Sequence, residues 1–170
     1  MAGHTDDDLF IAAPFGLVWE TVNDVASWPE LFAGEYAEAE VLERTADRIK
    51  FRLTTAPRDG ATYTWVSERY LDHERGTVSA RRLDPGPFYY MHIFQSVTPA
   101  PGGVRLRWVH DFEVRPGAPV TDAQMQERIG ASAKVNMRRH RDIIEAREAG
   151  AAAVSGAARP PAAQGAHGGE

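Results

Sequence analysis

The chain has 170 residues, of which 43% are hydrophobic and 25% charged, which is the size and composition of one globular domain. There are no cysteines, so disulfides, thiolate metal sites and a cysteine nucleophile are excluded. The formal net charge of -5 disfavours nucleic-acid binding, and no apolar run approaches the ~18 residues that a membrane span requires. We therefore expect a cytoplasmic protein that binds neither nucleic acid nor membrane.

The first part of the chain predicts one strand and two short helices. The strand covers Asp8–Ala12, and Pro14 then suits the first turn of a helix, where its missing N–H is not needed. Helical spacing continues through four apolar residues, Phe15, Val18, Trp19 and Val22. A second short helix is predicted over Val25–Leu31, interrupted by Pro29.

Between Tyr36 and Val114 the pattern changes to about six antiparallel strands separated by turns rich in glycine and proline. The last strand alternates most regularly, since its outer face is mostly charged and its other face is mostly apolar. The residues that share this second face are Val104, Leu106, Trp108, His110, Phe112 and Val114.

A long helix is predicted at the end of the domain. Thr121 and Gln124 form the pattern of a capping box, which indicates where the helix begins. Gly150 is expected to stop the helix, because glycine readily adopts positive φ. The segment 150–170 is rich in alanine, glycine and proline, so we predict a disordered tail there and a single folded domain over residues 5–149.

These elements predict an α+β fold. A curved antiparallel sheet with one apolar face needs a cover, and the C-terminal helix is the only predicted element long enough to supply it. We expect a helix-grip architecture, in which the sheet wraps around the long helix and two short helices close one end. Such an arrangement leaves an internal pocket.

The sequence contains no established catalytic motif and no metal-ligand spacing of its histidines, so we examined polar residues on apolar faces. Arg69 is in phase with Trp65, and its guanidinium either enters the interior or reaches water at the strand end beside a carboxylate. His110 lies between Trp108 and Phe112, where it is either a hydrogen-bonded structural residue or a proton shuttle.

Asn136 lies on the inner stripe of the long helix, and it either binds a ligand carbonyl or ties the helix to the sheet. Ser67 and Tyr36 are weaker candidates. The aromatic residues Trp28, Trp65 and Trp108 are more typical of a core than of a surface that stacks on a ligand. Two basic groups are expected to form solvated faces or to dock an acidic carrier protein. They are Arg81 with Arg82, and Arg138 and Arg139 with Arg141.

Several short strings are distinctive when they are taken together. They include Ala13-Pro14-Phe15, Trp28-Pro29-Glu30-Leu31-Phe32, Glu35-Tyr36-Ala37-Glu38, Trp65-Val66-Ser67-x-Arg69, Gly86-Pro87-Phe88, Arg107-Trp108-Val109 and Asn136-Met137. Over about residues 5–149 the chain resembles the monodomain aromatase/cyclases of bacterial type II polyketide synthases. It resembles most the tetracenomycin and spore-pigment type.

The resemblance implies a START/Bet v1-like fold and an enzyme without cofactor or metal. Members of this family take a poly-β-ketone carried on the phosphopantetheine arm of an acyl carrier protein. They fold it in the pocket, close the first six-membered ring by aldol condensation, and then dehydrate and aromatise it. In the tetracenomycin type the new bond joins C9 and C14. The implied partners are the acyl carrier protein and the ketosynthase complex of the minimal synthase.

By the same resemblance, Arg69 is the pocket arginine that polarises a ketone, and Tyr36 is the tyrosine that transfers protons. Gln95 stands where the tetracenomycin type has a tryptophan, which should widen the pocket for a longer chain. His110 stands where that type has glutamine and where other members use a catalytic histidine, so the base stays open among Tyr36, His110 and water. The matching pocket-lining positions are Trp28, Trp65, Ser67, Met91, Trp108 and Asn136.

Two other functions fit the same fold. One is a carrier that binds a hydrophobic ligand without reacting with it, and the other is a chaperone that only shields the polyketide chain. A carrier would have no need for Arg69 beside Ser67 and Tyr36. The expected function is therefore regiospecific first-ring cyclisation of an aromatic polyketide, with spore pigment among the candidate products.

Overall fold

The computed structural model describes residues 2–32 and 34–157. Its strands form one antiparallel sheet with the spatial order β1-β7-β6-β5-β4-β3-β2. They are β1 (Gly3–Ile11), β2 (Tyr36–Arg44), β3 (Arg48–Thr55), β4 (Thr64–Asp72), β5 (Thr77–Arg82), β6 (Phe88–Ala100) and β7 (Gly103–Val114). The six strands predicted between Tyr36 and Val114 are confirmed, whereas β1 begins at Gly3 rather than at Asp8.

The helices lie on one side of the sheet. They are α1 (Phe15–Asn23), α2 (Trp28–Leu31), which follows a 3-10 turn over Val25–Ser27, and α3 (Asp122–Ala157). The predicted capping box is confirmed. The Thr121 hydroxyl accepts a hydrogen bond from the Gln124 backbone N–H at 3.2 Å, and the Gln124 side-chain oxygen accepts one from the Thr121 backbone N–H at 2.9 Å.

The prediction that α3 ends at Gly150 is wrong, because the helix continues to Ala157. A glycine inside a helix costs only ~1 kcal/mol relative to alanine, and three alanines follow it in the sequence. Residues 158–170 of the predicted tail lie outside the described residues. The domain limits at residues 5 and 149 stay a prediction.

The alternation of side chains along each strand separates a face that packs under the helices from a face that meets solvent. The main core cluster joins α1, α2 and α3 to the inner face, with Val18, Leu31 and Leu106 fully buried and Ala133 and Met137 contributed by α3. A smaller cluster lies under the first turns of α3. It contains Phe88, Met91, Phe112 and Val114, packed against Met125 and Ile129. The predicted helix-grip architecture is confirmed.

Hydrogen bonds fix α3 against the first strand. The backbone N–H of His4 donates to Gln126 Oε1 at 2.9 Å, and the backbone N–H of Ala12 donates to Glu145 Oε1 at 2.8 Å. β1 itself pairs with β7, and Leu9 lies opposite Leu106 in that register. The helix, the first strand and the last strand therefore form one connected unit.

Candidate active site

Arg69 lies in the interior, on the inner face of β4. Only 2% of its surface is exposed. Its Nη2 donates hydrogen bonds to Asn23 Oδ1 at 2.9 Å and to Gln95 Oε1 at 2.8 Å. The guanidinium carbon lies 5.0 Å from the ring centroid of Trp28, a distance at which the ring face attracts a cation. The prediction that Arg69 enters the interior is confirmed, and its alternative, a side chain that reaches water, is wrong.

Among the residues that the structure describes, no carboxylate pairs with Arg69. Among the described residues its hydrogen-bond partners are neutral amides, from Asn23 and Gln95. Burial lowers the pKa of the guanidinium to about 9, so it remains a cation at neutral pH. Its Nε has no hydrogen-bond partner among the described residues. A buried cation with an unused donor is suited to bind the oxygen of a carbonyl or an enolate.

Aromatic rings in contact with one another form the walls of this site, and Arg69 meets them at Trp28. Ring centroids lie 6.4 Å apart for Trp28 and Tyr36, 6.1 Å apart for Tyr36 and Trp65, and 5.7 Å apart for Phe32 and Trp108. Trp108 is 4% exposed, and among the described residues its indole N–H has no partner. In this conformation the rings touch one another, so the predicted internal pocket stays a prediction.

Tyr36 and Asn136 meet at Glu35, where β2 begins. Glu35 Oε2 accepts a hydrogen bond from Asn136 Nδ2 at 2.5 Å and one from the Ser132 hydroxyl at 3.1 Å. Two roles were predicted for Asn136, and the structure shows the one in which its side chain ties the long helix to the rest of the fold. Burial, followed by the charge of Glu35, raises the pKa of the Tyr36 hydroxyl, which keeps this group protonated. The Tyr36 hydroxyl is therefore neutral at neutral pH and can donate a hydrogen bond.

Arg81 and Arg82 point in opposite directions, as neighbours on a strand must. Arg81 pairs on the outer face with Glu68, whose Oε1 lies 2.7 Å from Arg81 Nη2. The guanidinium carbon of Arg82 lies 3.9 Å from the ring centroid of Trp65, and burial lowers the pKa of Arg82 to about 10. The prediction that both arginines form a solvated face is wrong for Arg82, which adds a second cation beside the aromatic walls.

The remaining predicted residues are spread over the inner face. His110 lies 2.9 Å from the Thr5 hydroxyl, measured at Nδ1, and burial lowers its pKa to about 4. Met91 belongs to the smaller core cluster. Ser67 is buried on β4, two residues before Arg69. None of these three side chains shows a hydrogen bond to Arg69 among the described residues.

The sequence analysis missed three residues that the structure brings to this site, namely Asn23, Glu35 and His140. His140 is 1% exposed, and its ring centroid lies 4.6 Å from that of Phe32 and 5.1 Å from that of Trp108. A signal for His140 was present, because it follows Asn136 by four residues on the helix stripe that faces the sheet. No comparable signal placed Asn23, since its role depends on how α1 packs.

Two clefts lie on the surface, away from this site. One has a volume of about 330 Å³ and is lined by Ala12–Pro14, Gly102, Gly103 and Glu148. The other, on the outer face of the sheet, has a volume of about 270 Å³. Within residues 2–32 and 34–157, no group of three or more histidine and acidic side chains is arranged to hold a metal ion. No helix in the same ranges is both long and apolar enough to cross a bilayer.

Comparison with known proteins identifies the family of this chain. Residues 4–145 match the family described as polyketide cyclase/dehydrase and lipid transport. A protein of Streptomyces cyaneus, named as a candidate polyketide cyclase, is 47% identical over 146 residues, which are 85% of this chain and 95% of the relative.

Solved structures share the fold. The Zhui aromatase/cyclase of Streptomyces sp. R1128 superposes with a TM-score of 0.72 at 23% identity, covering 92% of this chain and 99% of that one. The di-domain aromatase/cyclase StfQ of the steffimycin pathway gives a TM-score of 0.75 at 21% identity, covering 86% of this chain and 52% of that one. The architecture is that of the START/Bet v1-like proteins. On the match to residues 4–145 and the close relative, this chain belongs to the polyketide cyclase/dehydrase and lipid transport family.

Proposed function

We propose that this protein is an aromatase/cyclase that acts on a poly-β-ketone bound to an acyl carrier protein. It folds the chain in the interior and closes the first ring by an aldol reaction that joins C9 and C14. Dehydration and aromatisation follow. The carrier protein and the ketosynthase complex of a minimal synthase are its proposed partners.

The observation that carries this proposal is the unbalanced charge of Arg69. A buried cation without a carboxylate partner costs stability, and a purely structural interior would be more stable with an apolar residue there. A carrier of apolar ligands gains nothing from such a group. A catalyst for aldol chemistry needs one, because negative charge develops on the oxygen of the ketone that is attacked.

The chemistry follows from the groups around Arg69. The guanidinium binds the oxygen of the electrophilic ketone and stabilises the alkoxide that forms on it. The protonated Tyr36 hydroxyl donates a proton as the reaction proceeds. The rings of Trp28, Trp65 and Trp108 hold the chain in one reactive geometry and exclude water, an effect that can supply up to ~7–11 kcal/mol in favourable cases. Binding requires some of the touching rings to part.

The test is a reconstituted minimal synthase with and without this protein, with the products identified by mass spectrometry. The synthase alone is expected to give a mixture of spontaneously cyclised products, whereas wild type is expected to direct the uncyclised chain into one regiochemical series. Arg69→Ala is expected to return the mixture, with a loss in rate of ~10²–10³-fold, the usual effect of removing one oxyanion donor. Arg105→Ala serves as the matched control, because Arg105 is exposed on the outer face of β7 and pairs with Asp8.

The outcomes separate the alternatives. If folded Arg69→Ala gives the wild-type product series at the wild-type rate, Arg69 has no electrostatic role and the proposal is wrong. A carrier would bind an aromatic polyketide tightly and leave the product mixture unchanged. A chaperone would raise the yield, and its folded pocket variants would show no defect in rate.

A second prediction concerns Gln95, which accepts a hydrogen bond from Arg69 and lies opposite Trp108 in the sheet. Gln95→Trp is expected to fill space beside Trp108 and to remove one of the two amides that hold the guanidinium. The favoured polyketide should become shorter, or the position of ring closure should shift. Product analysis with synthases of different chain length checks this, and an unchanged product spectrum would contradict it.

A further inference from the structure

His140 is a buried titratable group for which the proposed mechanism has no use. It lies on α3, one turn after Asn136, and its ring packs edge-on against Phe32 and Trp108. Only 1% of its surface is exposed. An imidazole in such a place needs either a structural or a chemical reason, because apolar residues fill a core at lower cost.

The hydrogen bonding of His140 fixes which ring nitrogen carries the proton. Its Nδ1 lies 2.7 Å from the backbone carbonyl oxygen of Asn136. Because a carbonyl oxygen can only accept, Nδ1 carries the hydrogen, and Nε2 of the neutral ring has a free lone pair. Burial and the nearby charge of Arg69 lower the pKa of His140 to about 4, so the ring is neutral at neutral pH.

Two side chains with unused hydrogen-bond donors neighbour His140: the Trp108 ring centroid lies 5.1 Å from that of His140, and the charge of Arg69 is near enough to affect the His140 pKa. Arg69 Nε and Trp108 Nε1 are both buried and have no partner among the described residues. His140 Nε2 adds one acceptor to them. Two donors and one acceptor match a poly-β-ketone that gives up a methylene proton, since the oxygens of the reacting chain need donors and the proton needs a base.

We propose that His140 Nε2 is the general base that removes the methylene proton of the bound poly-β-ketone. This inference rests on the proposed cyclase function. The Nε2 lone pair takes the proton, and the C–H electron pair becomes the enolate, while Arg69 holds the oxygen of the ketone that is attacked. The enolate carbon then attacks the second ketone and forms the C–C bond. The imidazolium returns its proton to the resulting alkoxide, which regenerates neutral His140.

The electrostatics disfavour a lone imidazolium, so proton uptake by His140 depends on the enolate that forms beside it, and return of the proton is favoured. When the proton moves to His140, the enolate forms at the same time, so the new positive charge is paired with a new negative one. Once the enolate has been consumed, burial and Arg69 again disfavour the imidazolium, which promotes return of the proton. His110 is less suited to this task because of its position: its Nδ1 lies 2.9 Å from the Thr5 hydroxyl, and among the described residues it shows no hydrogen bond to Arg69.

The experiment compares wild type, His140→Phe and His140→Ala in the reconstituted synthase, with added imidazole as a chemical probe. His140→Phe keeps a ring of similar size, so it preserves packing against Phe32 and Trp108 while removing the base. Both variants are expected to form the directed product ~10²-fold more slowly than wild type. Imidazole should restore part of the rate of His140→Ala, which has a space for it, and none of the rate of His140→Phe. Thermal unfolding establishes that each variant is folded.

The results distinguish the two proposals. If wild type itself directs no product, the proposed function fails. If wild type directs the product and Arg69→Ala abolishes it, but His140→Phe matches the wild-type rate, only the role of His140 is overturned. Failure of imidazole to raise the rate of folded His140→Ala overturns that role as well. A purely structural histidine would give no imidazole rescue.

Discussion

Replacing Arg69 by methionine and Gln95 by leucine in one double variant is expected to stabilise the fold while it abolishes directed ring closure. The substitution removes a buried cation whose pKa is lowered to about 9 by burial, and it removes the amide partner that would otherwise be left unsatisfied. Exchange of buried charged groups for apolar residues of similar size stabilises proteins by about 1–4 kcal/mol. Loss of the hydrogen bond from Arg69 to Asn23 reduces this gain in stability by about 1 kcal/mol.

Urea unfolding measures the effect as a higher midpoint at an unchanged slope, because the surface exposed on unfolding stays nearly the same. Arg105→Met is the control, because this exposed arginine on the outer face should change the free energy of unfolding by no more than about 0.5 kcal/mol. A double variant that unfolds more easily than wild type would mean that Arg69 holds the interior together. In that case Arg69 is explained by its contribution to stability, and the main argument for its catalytic role is lost.

Acid is expected to destabilise the protein before its carboxylates titrate. His110 and His140 both have their pKa lowered by burial from 6.5 to about 4 in the folded protein. Between these values the unfolded chain binds more protons than the folded one, so stability is present above pH 6.5 and is lost as the pH falls toward 4. The free energy of unfolding is expected to fall by about 2 kcal/mol for each histidine between pH 7 and pH 5.

The measurement is the free energy of unfolding at several pH values between 7 and 5, for wild type and for a His110→Gln/His140→Phe double variant. The variant should lose much less stability than wild type over this range, and each single variant should lie between the two. Glutamine retains a hydrogen-bonding group beside Thr5. The comparison therefore measures the effect of losing the titratable imidazoles rather than the loss of a hydrogen bond. A wild-type curve that is flat from pH 7 to pH 5 would show that neither histidine is held neutral by the fold.

Much of the site follows from alternation along the strands. Because side chains alternate, the sequence places Arg69, Ser67 and Trp65 on one face, and the aromatic partners on β7 indicate that this face is buried. Alternation alone still left open whether Arg69 turns inward or reaches water at the strand end, and the resemblance to a family with a pocket arginine favoured the interior. The same rule, applied to Arg82, would have placed it inside, but two adjacent arginines were interpreted as one solvated group.

The partners of these residues could not be predicted in the same way. The hydrogen bond from Arg69 to Gln95 crosses from β4 to β6, and the one to Asn23 depends on where α1 packs. Both need the register of the sheet and the position of a helix, which local periodicity does not contain. The contact between Glu35 and Asn136 joins residues that are far apart in the sequence. The sequence therefore left open whether Asn136 binds a ligand or ties the long helix to the sheet.

The pairing of β1 with β7 also determines the order in which the chain can fold. Leu9 meets Leu106 in the finished sheet, and α3 contributes the bonds that hold the first strand in place. During synthesis the N-terminal strand therefore cannot pair with its partner strand until most of the chain has left the ribosome. Such non-local closure is slow, on the order of milliseconds to seconds, and until it occurs the inner apolar face is open to chaperones and to aggregation.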